Sequence, residues 1–428
     1  MTSERLDRDL AVILDDLSAA PYPDYIDNIL ATTARRRQRP AWVFPERWLP
    51  MNVATQRVVS PRAPWRQLAL VTVLAVLAAA MTAVLVGTRP RPSPAPPFGR
   101  AMNGLIPYEV GGDLFAGDPI TGITQTLLTG DTVDLDPVYS RDGTKIAFRR
   151  LEQPALDSMF SLFVMDADGT DLRAVTHEPL DAPQSWDWAP DGRSLVVVEN
   201  VDGVSTLRFY DATGAEPPRT LTNGIAVDVP SFRPPDGREI LFRGQVGSEV
   251  GLFVMKADGS EVRELVTPTG SGNLAYTLRE PKYSPDGSQI AFHRWRDETK
   301  TMHLYVMDAD GGEASEVGAR EGYGWTAWPT WSNDGTRLAV SRGVLVAGGI
   351  DLEQPWAVLD LRDNSIVNTG PPMPFDGGRI EWAPDDSKLL MIQFVAGSRQ
   401  FLLDPAGGPW NEVPWDSDSW PSWQRLAP

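Results

Sequence analysis

Seven copies of one short pattern punctuate the last three quarters of this 428-residue chain. Each full copy runs through a proline or small residue, an aromatic, a Ser, Ala or Arg, an Asp and usually a Gly, and then enters an apolar stretch. In order they are Pro137-Val-Tyr-Ser-Arg-Asp-Gly143, Trp186-Asp-Trp-Ala-Pro-Asp-Gly192, Pro230-Ser-Phe-Arg-Pro-Pro-Asp-Gly237, Pro281-Lys-Tyr-Ser-Pro-Asp-Gly287, Pro329-Thr-Trp-Ser-Asn-Asp-Gly335, Ile380-Glu-Trp-Ala-Pro-Asp-Asp386 and the fragment Pro421-Ser-Trp-Gln424. The spacing is roughly 40 to 50 residues, so one supersecondary unit is being repeated to build an array.

Each Asp-Gly leads into a β-type run: Ile146-Ala-Phe148, Leu195-Val-Val-Val198, Ile240-Leu-Phe242, Ile290-Ala-Phe292, Leu338-Ala-Val340 and Leu389-Leu-Met391. Asp-Gly tolerates the positive φ that a tight hairpin turn demands, so the aromatic strand and this run form a hairpin. A third strand follows, as in Leu162-Phe-Val-Met-Asp166 and Leu304-Tyr-Val-Met-Asp308, then a second turn such as Asp166-Ala-Asp-Gly169 and a short outer strand such as Leu172-Arg-Ala-Val175. Four antiparallel strands per repeat make a propeller blade, and the predicted fold class is an all-β propeller. Residues 104–129 hold the later strands of a unit without its aromatic strand, and Trp420-Pro-Ser-Trp423 supplies the missing piece. A blade shared by the two ends leaves no open sheet edge, giving seven blades. Six is the alternative if the N-terminal unit packs only as a cap.

The Pro-x-aromatic-Ser-x-Asp-Gly-x-x-Ile-Ala-Phe pattern with the following Leu-Tyr/Phe-Val-Met-Asp-x-Asp-Gly resembles the TolB-like, or WD40-like, β-propeller repeat over about residues 104–428. The resemblance implies a fold whose members include envelope scaffolds and propellers joined to peptidases, so it implies no single activity. Asp386 stands where the sixth copy should have its turn glycine, and Pro235 lengthens the third turn. No Gly-x-Ser-x-Gly elbow is present and Pro428 follows the closing strand directly, which argues against an attached serine hydrolase.

Residues 68–87, LALVTVLAVLAAAMTAVLVG, are uncharged and long enough to cross a bilayer as a helix. The expected organisation is a cytosolic, short helical region at 1–66, a retained transmembrane helix at 67–88, a Pro-rich linker at 89–102 and the propeller at 103–428. Close to the span the basic residues are nearly balanced, with Arg89, Arg91 and Arg100 following it, and it is the longer arginine run from Arg35 to Arg66 that orients the N-terminus to the cytosol. Leu6, Leu10, Ile13, Leu14 and Leu17 recur at helical spacing behind Ser3, so residues 1–66 are a candidate docking segment for a cytosolic protein. This layout is similar to that of membrane-anchored anti-sigma factors, although the histidine and cysteine zinc motif of that class is missing.

With no cysteine, three histidines and a net charge of −18, the chain offers no thiolate metal site, no disulfide and nothing to neutralise nucleic-acid phosphates. Asp166-Ala-Asp-Gly-Thr-Asp171 echoes a calcium loop but lacks the further ligands, and no cofactor is expected. Loops converging at a propeller's axis can vary without upsetting the blades, so the candidate ligand-binding residues lie beside the aromatic strands: Asp136, Asp187, Glu280, Trp328, Arg379, Glu381 and Trp420. Such a mixture suits a protein, peptide or glycan. The competing expectation is an enzyme, a lyase or glycosidase using channel carboxylates such as Asp187 and Glu280.

Overall fold

The computed structural model describes Pro94 to Pro428 apart from residues 152–158, 177–179, 182–184, 202, 223–225, 247–248, 267–277, 297, 299–300, 321–322, 347–348, 352–355, 370–378, 394–397 and 418. The expected cytosolic region, the hydrophobic segment and the start of the linker therefore lie outside the described residues. Among the described residues no helix is long and apolar enough to cross a membrane.

Seven antiparallel sheets follow one another along the chain. Blade 1 has Ile106–Val110, Asp113–Gly117 and Thr124–Leu128. Blade 2 runs through Val133–Tyr139, Lys145–Leu151, Met159–Asp166 and Arg173–Ala174, and blade 3 through Ser185–Trp188, Ser194–Val201, Val204–Asp211 and Arg219–Thr220. Blade 4 comprises Ala226–Phe232, Glu239–Val246, Glu249–Lys256 and Arg263–Val266, and blade 5 Leu278–Tyr283, Gln289–Arg296, Thr301–Asp308 and Ser315–Glu316. Blade 6 is built on Tyr323–Trp331, Arg337–Val346, Trp356–Asp360 and Ser365–Asn368, and blade 7 on Ile380–Trp382, Leu389–Gln393, Arg399–Leu403 and Asn411–Glu412.

The C-terminal segment completes blade 1. Gly104 N donates to Gln424 O and Gln424 N to Leu105 O, both at 2.9 Å, and Met102–Asn103 pairs with Arg425–Leu426. The apolar core confirms closure, because it divides into seven clusters, each bridging two adjacent blades. An open row of seven sheets would have one interface fewer. The closing cluster packs Ile106 and Trp423 against Ala383, Leu390 and Leu402 of blade 7. Seven blades, and not six, is thus the observed count.

The aromatic of each inner strand knits neighbouring blades. Trp188 Nε1 donates to Val138 O at 3.3 Å, Trp331 Nε1 to Lys282 O at 3.1 Å and Trp382 Nε1 to Thr330 O at 2.9 Å. Each indole thus buries its rings between sheets and satisfies its N–H on the preceding blade. Within blades 2, 4 and 5 the second and third strands align Phe148 with Phe163, Phe242 with Phe253 and Phe292 with Tyr305, each pair stacked at 5.8 Å.

The two irregular turns keep the hairpin. Asp386 adopts φ +64, the backbone its glycine counterparts use, and its carboxylate compensates for that strain by accepting from Asn333 N at 2.6 Å and Asp334 N at 3.0 Å. In the third turn Gly237 N reaches back to Arg233 O, one residue further than Gly143 N to Ser140 O, which absorbs the extra residue.

Candidate functional site: the central channel

Counting back from each inner-strand aromatic orders the channel into layers. Successive strand residues face opposite sides, so the residues one and three before the aromatic share the axial face. One position back stand Val138, Asp187, Ser231, Lys282, Thr330, Glu381 and Ser422, and all seven line a cavity of about 680 Å³. Three positions back, Asp136, Ser185, Val229, Arg379 and Trp420 line it as well.

Five of the seven predicted site residues are thus brought together: Asp136, Asp187, Arg379, Glu381 and Trp420. Glu280 does not line the cavity. It sits in a bulge between Arg279 and Lys282 with φ +58, and it turns to His293, whose Nδ1 lies 3.3 Å from its Oε2. Asp136 and Val229 sit in equivalent bulges and do line the cavity, so Glu280 is set apart by its contact with His293. Trp328 belongs to the strand Tyr323–Trp331, but its side chain lies outside the described residues.

Asp136, Val229 and Glu280 occupy the same place, directly before a proline, at φ +51, +50 and +58. Valine is rarely tolerated there, so the inner strands of blades 2, 4 and 5 each carry one strained backbone position.

Most of the acids are already engaged. Arg141 Nη2 binds both Asp187 oxygens at 2.8 Å, and Arg149 pairs with Asp136. The anticipated carboxylate pair of Asp187 and Glu280 is therefore not presented jointly to the channel: one faces Arg141, the other His293. Glu381 differs. Burial pushes its carboxyl up to about 7, only partly offset by a Trp423 backbone N–H and by the charges of Arg141, Arg425 and Lys282. Lys282 lies at the same level, and burial, reinforced by Arg141 and Arg379 against the pull of Asp187 and Glu280, holds its ammonium below the ordinary lysine range. Arg379 places its guanidinium 4.0 Å from the centre of the Trp420 ring, and burial lowers it too, against Glu280 and Asp136.

One mouth is crossed by the chain itself. The expected spacer at 89–102 is, in its described part, packed on the ring. Ala95 N donates to Asp142 O in blade 2 and Ala101 N to Pro384 O in blade 7, both at 2.9 Å. Between them Phe98 stacks under Arg141 at 5.0 Å, and Pro97, Phe98 and Gly99 form cavity wall. Arg100 bridges Asp334 at 2.7 Å and Asp386 at 3.0 Å. Arg425 binds the carbonyls of Pro96 and Gly99 and, at 2.6 Å, Asn333 Oδ1. This strap covers the mouth that the Asp-Gly turns surround.

Lys282, Arg141 and Arg425 are functional candidates that the sequence reading passed over. For Lys282 the signal was available: it occupies the same repeat position as Asp187 and Glu381. For the two arginines it was not, because Arg141 acts from a turn and Arg425 through the strap.

Away from the channel, Glu316 Oε1 lies 2.7 Å from His303 Nδ1 and His303 Nε2 lies 3.0 Å from Thr301 Oγ1, an order of acid, imidazole and hydroxyl. Thr301 is fully buried at 0% exposure, which denies its hydroxyl a substrate. The network fastens the outer half of blade 5.

No family model matches the sequence. An uncharacterised protein of Agrobacterium fabrum is 28% identical over 191 residues, 42% of this chain and 61% of that protein. An uncharacterised peptidase of Bacillus subtilis is 31% identical over 126 residues, 28% of this chain but 18% of its own length. The chain thus spans less than two thirds of either relative. Among solved structures, a puromycin-hydrolysing peptidase of Mycobacterium tuberculosis superposes with a TM-score of 0.51 at 16% identity, over 77% of this chain and 56% of that one. TolB of Acinetobacter baumannii gives 0.47 at 18% identity over 74% and 81%. At such identities the likeness extends to the fold alone, and on its own geometry this chain is a seven-bladed, all-β propeller closed by its two ends.

Proposed function

We propose that this chain is a membrane-tethered binding propeller: residues 68–87 span the bilayer, the ring stands outside the cytosol, and a peptide or glycan enters the central channel past Trp420. The observation that carries the binding role is the cavity of about 680 Å³ to which all seven blades contribute charged, hydroxyl and aromatic groups, the composition of a recognition site. Residues 1–66 then provide a cytosolic surface through which occupancy is passed to a partner protein.

One observation favours an enzyme instead. A channel carboxyl held at about 7 is poised to exchange protons at neutral pH, which is what a general acid or base requires.

Two experiments test these readings. The native chain has no cysteine, so Ser3→Cys and Ser387→Cys each give a single thiol. A membrane-impermeant maleimide should label the Ser387 variant in intact cells and the Ser3 variant only after permeabilisation; the reverse pattern overturns the topology. On arrays of glycans and peptides, the full chain in detergent should bind without cleaving, and Ser231→Trp, which fills the channel, should abolish the binding. Cleavage that disappears in Glu381→Gln would replace the binding role with the catalytic one.

A further inference from the structure

Five basic side chains, Arg141, Arg149, Lys282, Arg379 and Arg425, and four acidic ones, Asp136, Asp187, Asp228 and Glu381, line the channel. Its formal charge is therefore positive inside a chain whose net charge is −18. The distribution sharpens the contrast. Asp187 and Asp136 are matched within the wall by Arg141 and Arg149, and Asp228 leans toward Arg243 at 3.8 Å. Arg425 spends its donors on neutral oxygens of Asn333, Pro96 and Gly99, and burial together with Arg141 brings it down to about 10. Lys282 forms no ion pair among the described residues although Glu381 shares its layer. Burial destabilises the Lys282 ammonium, and Glu381, the acid of its own layer, is itself driven toward neutrality. Cations withdrawn from water without a matching anion are costly, and a bound anion relieves that cost.

We propose that the middle of the channel is an oxyanion subsite, in which the Lys282 ammonium, with Ser231 of the neighbouring blade 4 in the same layer, receives a carboxylate or phosphate group of the ligand. The proposal rests on the channel being the binding site and names what binds there. The strap closes the far mouth, so the anionic group leads and the remainder of the ligand trails past Arg379 and Trp420. In this arrangement Arg141 and Arg149 hold the wall, and Lys282 is the group that meets the ligand.

The test uses full-length chain in detergent and reads the rate of reductive methylation at each lysine by peptide mass spectrometry. Succinate, inorganic phosphate and neutral succinamide are compared at matched ionic strength. Succinate or phosphate should slow modification of Lys282 about tenfold at ten times its dissociation constant, and leave Lys145, which is paired with Asp166 on the blade 2 hairpin, unaffected. The arm that protects identifies the oxyanion as carboxylate or phosphate. Lys282→Met removes a desolvated cation, so that variant should melt higher than the parent without anion and lose the anion-dependent rise in melting temperature. Equal protection of Lys282 and Lys145, or protection by succinamide, overturns the subsite while leaving a channel that binds neutral ligands. A Lys282 that stays unmodified in the absence of any anion would mean the channel admits no solute, and would sink the subsite and the binding role together.

Discussion

Glu381→Gln should stabilise the propeller at alkaline pH and leave it nearly unchanged in acid. A carboxyl held at about 7 in place of its ordinary 4.5 is penalised by about 3 kcal/mol once fully ionised. The folded state binds this proton more tightly than the unfolded chain does, so between those two pH values it carries more protons and loses stability as pH rises. Below the lower value both states are protonated and the penalty vanishes; above the upper value it is complete. Glutamine keeps an oxygen to accept the Trp423 backbone N–H and never ionises. Urea denaturation of parent and variant across this range should show a gap in unfolding free energy that opens from near zero in mild acid to about 3 kcal/mol above neutrality. Lys282→Met removes one of the charges that restrain the shift, so in that background the gap should open from the same acid limit but keep growing to higher pH and reach a larger plateau. Parallel pH profiles, or a glutamine variant less stable than the parent in alkali, would refute the assignment of Glu381 as a buried, reluctantly ionised acid.

Two further substitutions address the ring and its strap. Gly143→Ala would place a Cβ 1.9 Å from the Arg425 carbonyl oxygen at a φ of +72. It should cost more than about 2 kcal/mol and expose the C-terminal segment to carboxypeptidase; a neutral substitution would contradict the closure described. Arg100→Ala removes the bridges to Asp334 and Asp386, yet Asp386 keeps its bonds from Asn333 and Asp334. Overall stability should fall by only about 1 kcal/mol, whereas chymotrypsin cleavage at Phe98 should accelerate markedly; an unchanged cleavage rate would mean the strap is not held by Arg100.

The fold was largely readable because its determinants are local and repeated. Asp-Gly sets the hairpin turn, alternating apolar residues set the strands, and the aromatic before each turn marks the inner strand, so even the composite blade could be inferred from Trp420–Gln424. The site was less readable because period-two alternation holds only while strands are regular. At Asp136, Val229 and Glu280 a left-handed residue before proline interrupts it, and of the two acids among these Glu280 turns to His293 while Asp136 faces the cavity. The alternation does hold one residue before each aromatic, where Lys282 and Glu381 sit. The strap was not legible at all: Arg100 and Arg425 act across sequence separations of 286 and 329 residues, which no local pattern records.

Closing blade 1 with residues from the far end of the chain also dictates when the ring can form. Trp423 reaches Gly104 across 319 residues, so the first three strands must persist as an incomplete sheet while blades 2 to 7 are made and stacked. Contacts of such long range are reached slowly, and until they form the inner edge of blade 1 is a strand-pairing hazard during synthesis. The strap grips blades 2, 6 and 7 on either side of that late seam. It can bring the neighbours of the unfinished blade to their final spacing before the last strand arrives, acting as a jig for its own ring.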